Sequence, residues 1–580
     1  MVARLRTATP PTTFSTILTG RVAALTHLRI NAFECGADLP EEPGVPRNDR
    51  RRFLQTGLAM GALLAMPLWA WGQAELLDLP KLALVLGNGR YRRGRLRNPP
   101  NDARAIAAAL TSMGFSVIVA LDMGRAQIEA AIQDYTGELA KRKCVGLFYY
   151  AGHGLQVDWK NYMVPVEADL DTTADVQEQA VEVGTLLAGI TRAANPMNVI
   201  ILDACRDNPF GSTKEKAGEL KGLSQMDAPP STLLAYATSP GHVASDGEGA
   251  NGLYTEHLLK EMQIPGAKIE DVFKRVRIGV RRKSNGQQIP WESTSLEEDF
   301  WFIPPKDLRT LSEQERGLLF KEELTLWEKI KDSKESDPFE DYLRRYPSGQ
   351  FAELAQLQLE LVLARQGEKR IRIASQEGNP FTKGSAEADI GWKVGDTYVY
   401  RRLDLLANTE MRTVQIVTSV AGGEVRFSNG LVTDLLGNTL RRGGGRIYTP
   451  NQLEPLDYMI GKQWKTQFRI TTPKGATGHN EMELRIVGRE SVTVPAGTFH
   501  AYRIEGHGVF EDEDGRIELT SLTKWAAPDQ LRREVAMEET RERVRARGKR
   551  TGRRGRPGSG RGSPKVTQSL RWELVSFKQG

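Results

Sequence analysis

From Lys81 to about Pro305 the apolar positions fall in short unbroken runs, separated by stretches in which apolar and polar residues recur at helical spacing. Leu82 to Leu86 is such a run, as a strand covered on both faces requires. Asn101 to Met113 is alanine-rich and predicts a helix, with Asn98-Pro99-Pro100 as the breaker ahead of it. Phe115 to Leu121 predicts a second strand, Arg125 to Arg142 an amphipathic helix, and Val145 to Tyr150 a third strand that stops at His153. Tyr162 to Val166 is a short extended piece, Val176 to Ala193 a helix, and Val199 to Leu202 a fourth strand that stops at Cys205. Thr232 to Tyr236 predicts a fifth strand, and Leu253 to Met262 and Ile269 to Arg282 predict helices. This alternation gives residues 78–305 an α/β fold, a mostly parallel sheet flanked by helices. Sites in such sheets form beyond the carboxyl ends of the strands, where His153 and Cys205 fall.

The pattern then changes twice. Residues 306–375 are helical, with apolar stripes through Leu318, Leu319, Leu324 and Trp327, then Phe339, Tyr342, Leu343 and Tyr346, then Phe351, Leu354, Leu357 and Leu361. This is a small helical module. A polar linker at 376–390 follows, and residues 391–580 read as β-structure cut by glycine turns, expected as an antiparallel sheet or barrel. Val494-Pro495-Ala496-Gly497 reads as a tight hairpin connection. The arginine- and glycine-rich stretch 541–565 lies between two strand-like segments and predicts a disordered basic insert. It could attach to an anionic envelope surface, or be a solvated loop without a partner.

The N-terminus adds a compartment. Arg50-Arg51-Arg52-Phe53-Leu54 precedes an apolar run from Gly57 to Gly72, followed by small Ala74. This predicts a cleavable export signal within residues 1–74, cut after Ala74. The arginine pair before Phe-Leu is similar to a twin-arginine signal, so a bacterial periplasmic location is expected. The run is below membrane-spanning length and contains Pro67. Residues 1–46 are unusual ahead of such a signal, and a start near Val45 would remove them. Three cysteines, Cys35, Cys144 and Cys205, are too few for a disulfide framework even in an exported protein. A net charge of +6 over 580 residues does not point to nucleic acid.

The chemistry lies in two strings, Tyr149-Tyr150-Ala151-Gly152-His153-Gly154 and Ile200-Ile201-Leu202-Asp203-Ala204-Cys205-Arg206-Asp207. A thiol attacks as its thiolate, and a histidine beside it can take the proton. His153 is therefore a candidate base and Cys205 a candidate nucleophile. Gly152 and Gly154 would let the chain turn sharply and let a substrate peptide approach. The N–H groups of Gly154 and Cys205 would stabilise an oxyanion. Alone, each residue has a plainer reading: a packed small thiol for Cys205, a satisfied polar side chain for His153. Cys144 reads as a buried thiol and His257 as a helix residue. The histidines form no spaced metal cluster.

Five motifs in order resemble the caspase-fold catalytic domain, in the form found in bacteria. They are Leu86-Gly87-Asn88 with Leu96-Arg97-Asn98-Pro99 and Asn101-Asp102-Ala103; Tyr150-Ala151-Gly152-His153-Gly154; Asn161 to Val166; Asp203-Ala204-Cys205-Arg206; and Tyr236 to Gly241 with Ala244-Ser245-Asp246-Gly247. The separation of 52 residues between His153 and Cys205 is close to the caspase spacing. The resemblance implies a cysteine-type endopeptidase acting on protein or peptide substrates, with no required cofactor. Animal caspases have glutamine at the position of Asp203 and glycine at that of Asp207, and relatives often have glycine where this chain has Trp159. In metacaspases an acidic residue at the position of Asp203 lines the pocket for the residue before the scissile bond. That similarity implies cleavage after arginine or lysine, with Asp246 a second pocket carboxylate. Asp203 could instead cap a turn at the strand end. Asn208 to Pro230 corresponds to the junction between caspase subunits, and its Lys214, Lys216 and Lys221 would suit self-cleavage. Metacaspases are often calcium-activated; Asp169, Asp171 and Asp175 could bind calcium or form a solvated loop. A different function class stays open: a caspase-fold scaffold or binding module at the cell envelope without proteolysis.

Overall fold

The computed structural model describes residues 76–205, 223–239, 249–296, 298–306, 313–368, 384–543 and 565–580. The export signal, Asp246, His242, Lys214, Lys216, Lys221 and nearly all of the basic insert lie outside the described residues.

The α/β region runs β1 (Lys81–Gly87), α1 (Pro99–Ser112), β2 (Phe115–Leu121), α2 (Arg125–Arg142), β3 (Val145–Val157), β4 (Lys160–Met163), α3 (Thr173–Gln179), β5 (Val181–Glu182), α4 (Val183–Ala193), β6 (Met197–Cys205), β7 (Thr232–Tyr236), α5 (Leu253–Glu261), α6 (Ile269–Lys283) and β8 (Trp291–Thr294). The main sheet has the order β2-β1-β3-β6-β7-β8, parallel throughout except at the β7–β8 edge. Its strands are apolar on both faces because each face meets helices. Ala83 and Val85 of β1 face one core with Ile106 and Leu110 of α1 and Phe273 of α6. Leu82, Leu84 and Leu86 face the other, with Ile128 and Ile132 of α2 and Leu186 and Ile190 of α4.

Three local expectations change. The third strand does not stop at His153: β3 leaves the parallel sheet there and continues to Val157, pairing antiparallel with β4. The helix expected over Val176 to Ala193 is broken at Ala180. The break lets Val181 pair with Met163 as β5 and bury its side chain. The edge strand β8, too short to stand out in the pattern, closes the sheet.

Helices α7 (Glu313–Ile330), α8 (Asp337–Arg345) and α9 (Ala352–Arg365) pack through Trp327, Phe339, Tyr342 and Phe351. The same core takes Ile278 from α6 and Leu436 and Leu456 from the β-region, so it joins the two.

Inside the expected linker, Ser385–Glu387 forms β9, which pairs with β16 (Asp457–Met459). The other strands close into a twelve-stranded barrel. They are β10 (Thr397–Asp404), β11 (Thr409–Ala421), β12 (Glu424–Phe427), β13 (Val432–Asp434), β14 (Thr439–Arg441), β15 (Ile447–Tyr448), β17 (Gln463–Thr471), β18 (Thr477–Val494), β19 (Gly497–Asp512), β20 (Ile517–Ala526), β21 (Glu534–Arg543) and β22 (Lys565–Lys578). Pairing of β10 with β22 removes the sheet edges. The hairpin expected at Val494 is present, with Val494 opposite Gly497. No helix among the described residues is long and apolar enough to cross a membrane.

Candidate active site

The chain enters the sheet at β1, adds β2 on one side and then places β3 on the other. β1 and β3 stay paired to Gly87 and Ala151, but the connections that leave them run to opposite sides, and such a switch point is where open α/β sheets leave a crevice. The loop after β1 and the end of parallel pairing at His153 border that crevice. Parallel pairing of β3 with β6 begins at Val145 and Met197 and ends at His153 and Cys205. Ladder neighbours lie about 4.8 Å apart, so the backbone sets these two positions side by side.

His153 is buried and held at both its ring and its backbone. Its Nε2 lies 2.6 Å from the carbonyl oxygen of Gly94 in the loop after β1. A carbonyl only accepts, so Nε2 carries the proton and neutral His153 has its lone pair on Nδ1. The ring packs against Tyr91, with centroids 4.4 Å apart. The backbone N–H donates to Tyr91 Oη at 2.9 Å, and the carbonyl accepts from Tyr150 Oη at 2.7 Å and from the Val164 N–H at 3.1 Å. Tyr91 and Gly94 were not singled out from sequence. Gly94 acts through a backbone carbonyl, which leaves no side-chain signal, and Tyr91 reads as an ordinary loop aromatic.

The two glycines beside His153 do not make the sharp turn expected of them; β3 runs through. Gly152 has φ +155°, and a Cβ there would sit 2.5 Å from Tyr91 Oη and 2.8 Å from Tyr150 Oη. These are the hydroxyls that hold His153. A Cβ on Gly154 would sit 2.7 Å from the Ala204 Cβ and 3.0 Å from Leu223 Cδ2. The glycines thus admit neighbouring protein groups.

Leu223 belongs to a strap that leads into β7. Ser224 donates its N–H to Asn161 Oδ1 at 2.6 Å and accepts from Asn161 Nδ2 at 2.8 Å. Its hydroxyl donates to the Trp159 carbonyl at 2.6 Å, with Trp159 at φ +67°. Trp159 thus serves the strap through its backbone. Three residues on, Asp227 accepts from the Gly384 N–H at 2.7 Å and from Ser385 Oγ at 2.6 Å, which ties the strap to β9. Burial pushes the Asp227 carboxyl up.

Asp203 is half-buried on β6, in register with Ala151. Its Oδ2 accepts from Thr255 Oγ1 at 2.6 Å and from Tyr149 Oη at 3.2 Å, and those two hydroxyls are 2.6 Å apart. Thr255 lies on α5 and Tyr149 on β3, and both are fully buried. Burial, and then the Asp203 charge, push the Tyr149 phenol far above its usual value. His153, Gly154, Cys205 and Asp203 thus share one end of the sheet.

The other candidates stand apart. Arg93 pairs with Asp169 and with Asp171, the latter at 2.9 Å, while Asp175 caps α3 through Thr172. A calcium ion at these carboxylates would have to displace Arg93. Among the described residues no group of three or more His, Cys, Asp or Glu side chains could hold a metal. Cys144 is fully buried, and burial pushes its thiol up, away from the reactive thiolate. His257 sits in α5 with its ring close to Gly279, and burial pushes its imidazole down.

Comparison with known proteins agrees with this architecture over the α/β region. Residues 80–301 match the family model described as the caspase domain. The human mucosa-associated lymphoid tissue lymphoma translocation protein 1 is 28% identical over 225 residues, which are 38% of this chain and 26% of that protein. Its mouse homologue is 27% identical over the same extent. The chain spans about a quarter of the length of these curated relatives. Residues 80–301 therefore have the fold of a caspase domain, followed by a β-rich region that closes into a barrel.

Proposed function

We propose that the chain is a cysteine endopeptidase that cuts after arginine or lysine, with His153 as base and Cys205 as nucleophile. The observation that carries this reading is the last register pair of β3 and β6, which sets the His153 position beside that of Cys205, next to the switch point between β1 and β3. The Gly94 carbonyl supports it by fixing the His153 tautomer with Nδ1 as acceptor. In the first step the Cys205 thiol gives its proton to Nδ1 and the sulfur bonds to the scissile carbonyl carbon. The carbonyl electron pair moves to oxygen, where the N–H groups of Gly154 and Cys205 donate to it. The C–N bond then breaks, and His153 returns the proton to the leaving amine. Water, deprotonated by His153, cleaves the thioester, which releases the acid and restores the thiol. Asp203, with Asp246, faces the basic side chain of the substrate. The export signal would take the enzyme to a bacterial periplasm, and the basic insert 541–565 would hold it at an anionic envelope surface. No cofactor is required by this chemistry, and calcium would act only as a regulator.

The test compares the chain with its Cys205→Ala variant on peptides ending in arginine, lysine and aspartate, with calcium and with chelator. Arginine and lysine peptides are expected to turn over, and Cys205→Ala should lower kcat on the order of 10⁴-fold or more. Equal turnover of the aspartate peptide would overturn the specificity. No cysteine-dependent turnover under any condition would favour the envelope scaffold.

A further inference from the structure

We propose that Thr255 and Tyr149 are positioning residues that lock the Asp203 carboxylate in one plane, and that this lock makes the pocket prefer arginine over lysine. The inference rests on Asp203 being the carboxylate that meets the substrate's basic side chain.

The argument starts from what each hydroxyl can do. Thr255 has one proton and lies 2.6 Å from Asp203 Oδ2, an ionised acceptor. Donating there leaves the Thr255 oxygen to accept from Tyr149, also 2.6 Å away. Tyr149 lies 3.2 Å from the same Oδ2, so its proton forks toward both. The phenol is pushed far above its usual value, first by burial and then by the Asp203 charge, so it stays a donor. The result is a two-hydroxyl clamp on one carboxylate oxygen.

The clamp is rigid because its parts come from different elements. Tyr149 is in β3, at the centre of the sheet, and Thr255 is in the first turn of α5. Both are at 0% exposure. Two hydroxyls buried to that degree are costly unless bonded, and here they spend their bonds on a carboxylate. Next to them Asp102, 2% exposed, accepts from Asn251 Nδ2 at 2.8 Å and from the Gly252 N–H at 3.0 Å. This pins the N-terminus of α5, and with it Thr255, to α1. The chain of support runs from α1 through α5 to the specificity carboxylate.

A fixed carboxylate plane matters to one ligand more than to the other. A guanidinium is planar and meets a carboxylate through two parallel N–H donors, so it gains from a preset plane. An ammonium is close to a point charge and is satisfied by any orientation. Loosening the clamp should therefore cost arginine substrates more than lysine substrates.

The experiment measures kcat and KM of the full chain on matched arginine and lysine peptides. The variants are Thr255→Val, Tyr149→Phe, Thr255→Ser and Asp203→Asn, each checked for an unchanged melting transition. Thr255→Val should raise KM for arginine peptides about tenfold with kcat within about twofold, and should lower the arginine-to-lysine ratio of kcat/KM several-fold. Tyr149→Phe should do the same to about threefold. Thr255→Ser, which keeps the hydroxyl, should restore the ratio. If Thr255→Val does not fold, Tyr149→Phe carries the same reading. An unchanged arginine-to-lysine ratio in the folded variants, while Asp203→Asn removes the preference for basic residues, overturns the clamp and leaves the pocket intact. An unchanged preference in Asp203→Asn overturns the pocket assignment itself, and the clamp with it.

Discussion

In the α/β sheet the hydrogen-bonded side chains around His153 and Asp203 gather at the carboxyl ends of β3 and β6; in the barrel, ion pairs link strands along the wall. Near where β3 and β6 cease to pair, Tyr91 holds His153, and Thr255 and Tyr149 hold Asp203, each through hydrogen bonds from separate elements. On β10, β21 and β22 the charges instead meet across neighbouring strands and, for Arg571 and Glu573, along one strand. Arg571 reaches Glu538 at 2.5 Å and Glu573 at 2.7 Å, and Glu573 also meets Arg401. The first arrangement builds a place that chemistry can use. The second ties neighbouring strands of the closed wall together. A change at the convergent end should therefore propagate, while a change on the barrel should stay local.

The largest expected effect comes from two glycines with positive φ, one in each region. Gly152→Ala puts a methyl against the Tyr91 and Tyr150 hydroxyls. Either hydroxyl can move only by releasing His153. With the backbone strain added, the cost should be about 3 kcal/mol or more, accompanied by loss of turnover. Gly475, at φ +86° in the turn between β17 and β18, has nothing within 4 Å of an added Cβ. Gly475→Ala should cost only about 1 kcal/mol and leave kcat unchanged. Urea unfolding and single-turnover rates on both variants decide it. Equal costs would mean that the His153 support is not as tight as its distances imply.

The barrel has its own buried carboxyl, and it sharpens the contrast in a pH-dependent way. Burial pushes Asp434 up to about 7, against donation to it from the Leu436 N–H and from the backbone and side chain of Asn438. In the unfolded chain the group loses its proton near its ordinary value of about 3.9. Between these values the folded chain keeps a proton that the unfolded chain has released. Stability from this group is thus present below about pH 4 and is lost as pH rises toward 7. Asp457, pushed up to about 6 by burial, and Glu270, pushed up to about 7, act with the same sign. Asp434→Asn should flatten the fall in unfolding free energy between pH 5 and pH 7.5 by roughly 2 kcal/mol. An identical slope in the variant would show that Asp434 stays ionised in the fold.

The contrast also decides what could be read from the chain. Runs such as Leu82 to Leu86 are legible because two helical layers demand apolar residues on both faces of a strand. His153 and Cys205 are legible because a polar residue then interrupts such a run. The clamp on Asp203 is not, because Tyr149 and Thr255 are 106 residues apart and each looks local: one is an aromatic within a strand, the other a hydroxyl at a helix start. Gly94 is silent because its contribution is a backbone oxygen. The continuation of β3 past His153 is hidden because Gly-His-Gly reads as a break, whereas tyrosine hydroxyls fill the space at Gly152 and the Ala204 and Leu223 side chains that at Gly154. In the β-region, single strands show through alternation. Closure does not, because β10 meets β22 across more than 160 residues and the short strands β12 to β15 give too little pattern.

The smallest expected effect tests the other half of the comparison. Arg571 makes two ion pairs at good distance, yet its side chain remains 34% exposed and Glu538 is 41% exposed. Water and salt screen such a pair, and ordering two long side chains offsets most of the Coulomb gain. Arg571→Ala should therefore change unfolding free energy by no more than about 1 kcal/mol, less at high salt, and leave kcat/KM unchanged. Glu573 sets the limit on this reasoning, because it is 5% exposed and shared with Arg401. If Arg571→Ala cost several kcal/mol, the shared carboxylate would make this part of the wall a coupled network, and the barrel would resemble the sheet more than its even spread of charge implies.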